Sequence, residues 1–331
     1  MGQLVDGVWK TGALAPDEGG RFVRAPTRFR EQLSPPGEGR FPAEPGRYHL
    51  YVSLACPWAS RALHLRALKG LEEAVGVTVV DPRMGPDGWG FGDFPRSDPD
   101  RLNGTRYLRE LYLLADPRYT GRVTVPVLWD TRERTIVNNE SREVLRMLDT
   151  RFDAFARHPV TLCPEPLRER VDAVIDALYG PVNNGVYKAG FARSQEAYES
   201  ACRALFAALD GWEEVLGRQR YLCGDVLTEA DVCLYTTLVR FEPVYHAHFK
   251  CNLARLRDLP HLWNYLLDLY QTPGFAETTD LEHIKVHYYG SQDSVNPSRI
   301  MPLGPPLDLR APHDRDRLGP RRLASVGSSP A

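Results

Sequence analysis

The sequence predicts an α/β domain followed by an all-helical domain, on three observations. The chain has 331 residues, which is more than one average domain and favours two. Strand and helix signals alternate between residues 48 and 148, whereas helical periodicity dominates from 165 to 280. We therefore expect four regions: an irregular N-terminal arm at 1–46, the α/β domain at 47–155, the all-helical domain at 160–304 and a disordered tail at 305–331.

Composition excludes several classes of function. Apolar residues make up 43% of the chain and the formal charge is -2, so no basic excess would attract nucleic acid. The sequence contains no run of 18 apolar residues and its start, MGQLVDGVWK, lacks the pattern of a signal peptide. We expect a cytoplasmic protein that contacts neither nucleic acid nor membrane.

The α/β region has a definite order of elements. An apolar run at 48–54 predicts a strand, and the stretch after Cys56-Pro57 predicts a helix that carries proline in its first turn. A second strand is predicted at 77–80, followed by a long insert. The runs at 125–129 and 135–137 predict a β-hairpin, and a helix is expected at 140–148.

The second region carries amphipathic helices. Ser194 is placed to cap a helix whose apolar stripe includes Leu205 and Leu209. Thr228 to Asp231 forms a pattern typical of a capping box. By contrast, 1–46 is rich in Gly, Pro and charge without periodicity, and 305–331 has little to bury.

Cys56 is the predicted nucleophile. It follows an apolar strand at the start of a helix, where unpaired N–H groups and the macrodipole stabilise a thiolate. A thiol with a pKa of ~8.5 is ~3% ionised at neutral pH, and a pKa of ~6 makes ~90% of it thiolate. Ala59 stands where a resolving cysteine would lie, so a second, external thiol must complete any cycle.

Two further motifs suit a thioredoxin-like domain that binds a peptide. Val125-Pro126 precedes an apolar strand, and a cis bond there would direct the backbone of Val125 towards a peptide ligand. Glu140 and Ser141 begin the next helix, where N–H and hydroxyl groups can bind a γ-glutamyl carboxylate and Glu140 its ammonium group. Capping of the helix alone is the simpler interpretation of that pair.

Two other patterns are not assigned a site. The glycine-rich run at 85–92 lacks the Lys and Ser/Thr of a phosphate loop. His283 and His287 have the spacing of a zinc motif but no third ligand is evident, so no metal is predicted.

Several segments carry a resemblance to a known family across residues 2 to about 306. They include YHLYVSLACPWASRAL, TVPVLWD, IVNNESREVLRML, NNGVYKAGFA and HIKVHYYGSQDSVNPSRIMPLGP. Together they resemble the glutathionyl-hydroquinone reductases, the Xi class of glutathione transferases. Two positions depart from the family pattern: Ser60 and Gln292 stand where the family usually or often has His.

The resemblance implies the glutathione transferase architecture, a thioredoxin-like N-terminal domain plus an all-α C-terminal domain, in a homodimer. It implies glutathione as co-substrate, without a metal, and a Cys56-glutathione mixed disulfide that releases hydroquinone and then oxidised glutathione. Tyr187 and Tyr288 would act with Cys56 by facing the hydroquinone. Glutathione would contact these residues: Trp89, Arg122, Val125, Glu140 and Ser141.

Three alternatives stay open at this stage. A conventional transferase would conjugate electrophiles, although a cysteine at the helix start argues against it. An omega-like thiol reductase of dehydroascorbate or mixed disulfides would use the same Cys56. A non-catalytic binding module with the transferase fold would not need that thiol.

Overall fold

Strand and helix alternate through the first half of the chain in the computed structural model, which describes residues 2–12 and 17–327. The described residues divide into two compact units. The first contains 2–12, 25–158 and 278–292, and the second contains 17–24, 159–277 and 293–327. No helix among these residues is long and apolar enough to cross a membrane.

The first unit is built on a mixed sheet in the order β4-β3-β6-β7. Its strands are β3 (Tyr48–Val52), β4 (Val75–Val79), β6 (Val127–Asp130) and β7 (Thr135–Asn138). β3 runs parallel to β4 and antiparallel to β6, which pairs with β7 as an antiparallel hairpin. The predicted strands and hairpin are therefore confirmed.

Helices α1 (Pro57–Lys69) and α3 (Ser141–Arg151) also occupy the predicted places, and α2 (Leu108–Ala115) lies within the long insert. The far end of α1 is fixed to α3 by an ion pair. Lys69 Nζ, fully buried, donates to the carboxylates of Asp149 (3.2 Å) and Asp153 (2.5 Å). Breaking a buried pair of this kind leaves an uncompensated charge, so it holds the two helices in register.

The N-terminal arm is more ordered than predicted. Strands β1 (Gly2–Val5) and β2 (Val8–Thr11) form an antiparallel hairpin, and β1 also pairs with β5 (Gly121–Arg122). The turn consists of Asp6 and Gly7, both at positive φ (46° and 76°). Asp-Gly is the preferred pair for such a two-residue turn, so the prediction of an irregular arm is wrong here.

Two segments belong to a different unit from the residues next to them in the sequence. Residues 17–24 of the predicted arm belong to the second unit. Helix α9 (Leu281–Ser291), which the sequence analysis assigned to the helical domain at 160–304, belongs to the first. Contacts of its histidines explain this: His283 Nε2 lies 2.6 Å from the carbonyl oxygen of Pro95, and His287 Nδ1 lies 3.0 Å from that of Pro82.

The second unit is helical, with a pair of two-residue strands, β8 (Val160–Thr161) and β9 (Ala324–Ser325). Its helices are α4 (Arg168–Leu178), α5 (Gly185–Gly190), α6 (Gln195–Arg218), α7 (Glu229–Leu238) and α8 (Pro260–Tyr270). Ser194 caps α6 by accepting from Ala197 N–H at 3.2 Å, and the predicted capping box of Thr228 and Asp231 starts α7. Both predicted helix starts are confirmed.

The predicted disordered tail is ordered as far as residue 327, and 328–331 lie outside the described residues. Arg315 is fully buried, and its guanidinium donates to the carbonyl oxygens of Leu216 (2.6 Å), Gln219 (2.8 Å) and Arg220 (2.7 Å). These carbonyls lie at and just beyond the C-terminal end of α6, where helices leave acceptors unpaired. A cation thus fixes a segment that has little apolar surface.

We predict that Arg315→Ala destabilises the second unit. Removing the guanidinium leaves buried carbonyl oxygens without a donor, so the free energy of unfolding should fall by about 3 kcal/mol. Urea denaturation followed by circular dichroism measures it. Arg310→Ala, at an exposed position of the same segment, is the matched control. Equal stability of the two variants would contradict the structural role of Arg315.

Candidate active site

Cys56 lies at the junction between β3 and α1. Its backbone is extended (φ -81°, ψ 120°), and Pro57 begins the helix without needing a hydrogen-bond acceptor for its nitrogen. Cys56 N donates to Ser53 O at 3.1 Å, which closes the turn before the helix. The thiol therefore stands at the positive end of the α1 macrodipole, as the sequence predicts.

The other cysteines have a different environment. Cys56 is partly exposed, whereas the remaining five are buried. Burial raises the pKa of Cys223 to about 11 and raises the pKa of Cys251 as well. Those thiols are held in the protonated, unreactive form.

Val125 lies directly opposite the thiol. The Val125-Pro126 peptide bond is cis, and the Val125 carbonyl oxygen is 3.8 Å from Cys56 Sγ. The cis bond that the sequence analysis considered at this position is present.

Tyr112 joins this segment to the start of α3. Its hydroxyl donates to Thr124 O (2.7 Å) and accepts from Thr124 N (3.1 Å) and from Asn139 Nδ2 (3.0 Å). Burial raises the pKa of Tyr112, so the hydroxyl stays protonated. One phenol therefore fixes the residues that precede both Val125 and Glu140.

Glu140 and Ser141 occupy the N-terminus of α3. The Glu140 carboxylate accepts from Arg142 N–H (3.5 Å) and from the Thr27 hydroxyl (3.4 Å), so it caps the helix. Ser141 is buried, and its Oγ accepts from Arg61 Nη1 at 3.3 Å. The guanidinium uses an acceptor lone pair of the hydroxyl oxygen, so this contact does not occupy the hydroxyl hydrogen.

Trp89 and Tyr288 both contact the ring of His287. The indole of Trp89 stacks on the imidazole of His287, with ring centroids 4.6 Å apart and an interplanar angle of 21°. The ring of Tyr288, also buried, packs edge-on against His287 at 5.4 Å. The structure therefore places one predicted glutathione contact and one predicted hydroquinone contact against the same histidine ring.

The N-terminal hairpin supports the loop that carries Trp89. Trp9 Nε1 donates to Pro86 O at 3.0 Å, and the guanidinium of Arg109 lies 5.2 Å from the Trp9 ring centroid. Arg122 lies in β5, next to β1, where its carbonyl oxygen accepts from the Tyr119 hydroxyl at 3.1 Å. Arg122 thus lies on the small sheet rather than at the start of α3.

Tyr187 lies in the second unit, on α5, within a cluster of aromatic rings. It packs edge-on against Phe249 (5.6 Å) and Tyr245 (6.2 Å), and stacks on Phe191 (6.2 Å) and Phe22 (6.4 Å). The other predicted site residues are all in the first unit.

Sequence reasoning missed the residues that hold the predicted contacts. Arg61 and His287 are buried and contact the predicted site residues Ser141 and Trp89, and both lie within segments that carried the resemblance without being assigned a role there. Tyr112 is buried in the long insert and bonds Asn139 and Thr124, which precede Glu140 and Val125. His287 was considered as a zinc ligand instead. The described residues contain no cluster of three or more side chains suited to a metal ion.

Ser60, one of the two positions that depart from the family pattern, makes a hydrogen bond within its own helix. Ser60 Oγ donates to the Cys56 carbonyl oxygen at 2.9 Å, a bond within the first turn of α1. The serine is therefore directed at the backbone of the predicted nucleophile.

Comparisons with known proteins agree on one family. The chain matches the models described as glutathione S-transferase N-terminal domain (residues 55–151) and C-terminal domain (195–267). It is 51% identical to the glutathionyl-hydroquinone reductase YqjG of Escherichia coli (strain K12), over 96% of this chain and 99% of the relative. The predicted glutathione transferase architecture is confirmed.

Solved structures give the same result. The Xi-class glutathione transferase from Natrialba magadii matches with a TM-score of 0.91 and 55% identity, over 96% of this chain and 97% of that one. The glutathione-bound structure of YqjG from Escherichia coli K-12 matches with a TM-score of 0.87 and 49% identity, over 95% and 99%.

We predict that Cys56 is the fast-reacting thiol of the native protein. A small alkylating reagent at neutral pH should modify one cysteine rapidly, because the other five are buried, and the rest only after denaturation. Mass spectrometry of the time course counts the modified sites. Cys56→Ser should lose the rapid phase and Cys202→Ser should keep it. A rapid phase that survives in Cys56→Ser would contradict the assignment.

Proposed function

We propose that this chain, which belongs to the glutathionyl-hydroquinone reductases, the Xi class of glutathione transferases, reduces glutathionyl-hydroquinones to hydroquinones. Glutathione is oxidised in the reaction. The observation that carries the mechanism is the partly exposed Cys56 thiol at the N-terminus of α1, 3.8 Å from the Val125 carbonyl.

The first step is attack by the Cys56 thiolate on the sulfur of the conjugate. A sulfur–sulfur bond forms, and the bond between sulfur and the ring carbon breaks. Its electron pair goes to the ring, which takes up a proton and leaves as hydroquinone. Cys56 is now oxidised to a mixed disulfide with glutathione, and the aromatic carbon is reduced.

The second step is thiol–disulfide exchange. A second glutathione, as thiolate, attacks the glutathione sulfur of the mixed disulfide, which restores the Cys56 thiolate and releases oxidised glutathione. An external thiol is required because Ala59 provides no resolving cysteine.

Glutathione recognition is assigned to the N-terminus of α3. The Ser141 hydroxyl and the first N–H groups of α3 would bind the γ-glutamyl carboxylate, and Glu140 the ammonium group. The Val125 backbone would pair with the cysteinyl part of the peptide, and Trp89 and Arg122 would contact the remainder. The support for this assignment is the buried Arg61–Ser141 contact, which orients a hydroxyl donor.

Tyr187 and Tyr288 would bind the hydroquinone hydroxyls. A phenol donates a hydrogen bond that strengthens as negative charge develops on the ring oxygens during sulfur–carbon cleavage. The aromatic rings around Tyr187 suit an apolar substrate.

We also propose a cytoplasmic homodimer, as the family resemblance implies. Light scattering of the purified chain would give twice the monomer mass. The alternatives differ in their substrates: an omega-like reductase would act on dehydroascorbate or mixed disulfides, and a conjugating transferase on electrophiles.

We predict that Cys56→Ser abolishes hydroquinone release. An alcohol cannot form the sulfur–sulfur bond, so turnover should fall below detection. In the wild-type protein, intact-mass analysis after addition of the conjugate should show one glutathione on Cys56, which is cleared when reduced glutathione is added.

Cys202→Ser, a substitution at a buried cysteine, serves as the control and should retain both the adduct and turnover. Hydroquinone release by Cys56→Ser would contradict the mechanism, and absence of the adduct in the wild type would favour conjugation or a binding module.

We predict that Ser141→Ala raises KM for the glutathionyl-hydroquinone, whose glutathionyl part fills the γ-glutamyl site before the mixed disulfide forms. Loss of one hydrogen bond to a carboxylate costs binding by roughly tenfold, with kcat less affected. Steady-state kinetics at varied conjugate and saturating glutathione measures both parameters. Ser200→Ala, an exposed serine of α6, is the control and should behave like wild type. An unchanged KM in Ser141→Ala would remove Ser141 from the glutathione site.

A further inference from the structure

The segment at 17–24 is fastened to the helical unit just before α6. Arg193 N–H donates to Gly20 O at 2.9 Å, and the Ser194 hydroxyl donates to Gly19 O at 3.0 Å. Gly20 has φ +75°, and a Cβ there would lie 3.1 Å from Ser194 N, so glycine suits both the turn and the close approach. The segment thereby has a fixed path towards Tyr187.

Arg24, at the end of this path, contacts Tyr187 and its helix. The guanidinium carbon lies 5.1 Å from the Tyr187 ring centroid, within the range of a cation–π interaction. Arg24 Nε donates to Asn184 Oδ1 at 3.1 Å. Asn184 O in turn accepts from Tyr187 N–H at 3.1 Å, so Arg24 is tied to the first turn of the helix that carries Tyr187.

Phe22 adds a second contact from the same segment. Its ring lies 6.4 Å from that of Tyr187 and 5.4 Å from that of Phe191, and the guanidinium of Arg24 lies 5.5 Å from the Phe22 centroid. Two side chains of the segment thus constrain the Tyr187 ring: Arg24 through a cation–π interaction and Phe22 through ring packing.

We propose that Arg24 is a positioning residue for the reductase reaction: it orients Tyr187 and places a positive charge beside that phenol. The inference rests on the proposed function, in which Tyr187 contacts the hydroquinone. A nearby cation stabilises the negative charge that the Tyr187 oxygen gains when it donates its hydrogen. The phenol is therefore a stronger hydrogen-bond donor to the negative charge that develops on the substrate. The effect applies when the sulfur–carbon bond breaks, so it lowers the barrier more than it strengthens substrate binding.

The experiment compares two substrates of the same Cys56. One is a glutathionyl-hydroquinone. The other is the mixed disulfide of glutathione and 2-mercaptoethanol, from which Cys56 takes glutathione and releases mercaptoethanol without an aromatic ring. Arg24→Gln should lower kcat for the conjugate by ~10-fold with KM changed less than about threefold, and leave the disulfide reaction unaltered.

Matched variants separate charge and position from simple folding effects. Arg24→Lys retains the cation and should recover kcat to within about threefold of wild type. Arg21→Gln, three residues earlier on the segment and exposed, should behave as wild type. In a Tyr187→Phe background, Arg24→Gln should cause no further loss, because the hydroxyl through which it acts is absent.

The outcomes distinguish this inference from the proposed function. No hydroquinone from the wild-type protein overturns both, whereas wild-type turnover with an unaltered kcat in Arg24→Gln overturns the role of Arg24 alone. An equal loss on both substrates, or an additive loss with Tyr187→Phe, also overturns it. If Arg24→Gln fails to fold, Asn184→Ala, which removes the acceptor of Arg24 Nε, must show the same split or the inference fails.

Discussion

The Cys56 thiol stands on a helix that offers no exposed side chain between Pro57 and Lys69, all of which the structure describes. That burial determines how the site is built. Cys56, the proposed nucleophile, precedes the first residue of this helix, and it cannot move unless the core moves, because the far end of the helix is held by the Lys69–Asp149 ion pair. The ligand must therefore be brought to the thiol by the parts that surround it.

Those surrounding parts depend on one another through buried side chains. Tyr112 fixes the backbone before Val125 and before Glu140, Arg61 donates to the Ser141 hydroxyl, and His287 contacts both Trp89 and Tyr288. Each of these groups is bonded to, or packs against, a residue with a proposed role or the residue that precedes one. Preorganisation of this kind reduces the reordering required when a peptide ligand binds.

Local signals in the sequence were sufficient for the thioredoxin-like core. The apolar run before Cys56, Pro57 in the first turn of α1 and the Val125-Pro126 pair each act within a few residues. The sequence signal for the Asp6-Gly7 turn was equally local, but the glycine and charge content around it led us to predict an irregular arm.

Other features depend on contacts between distant parts of the chain. The order of the segment after 305 rests on Arg315 and the carbonyls beyond α6, about a hundred positions earlier. The assignment of α9 to the first unit rests on histidine contacts with the carbonyls of Pro82 and Pro95. Periodicity and composition report what a segment can bury and not which distant polar group it will meet, so neither was predictable.

Each unit contains a segment from a distant part of the chain, and this affects both the folding of the protein during synthesis and the recombination of its gene. The first unit needs α9, so it remains incomplete on the ribosome until residue 291 has emerged. The second unit needs residues 17–24, which are made more than a hundred residues before the helices that they contact. Neither unit corresponds to a continuous stretch of gene, so recombination at the boundary near 158 would transfer neither of them whole.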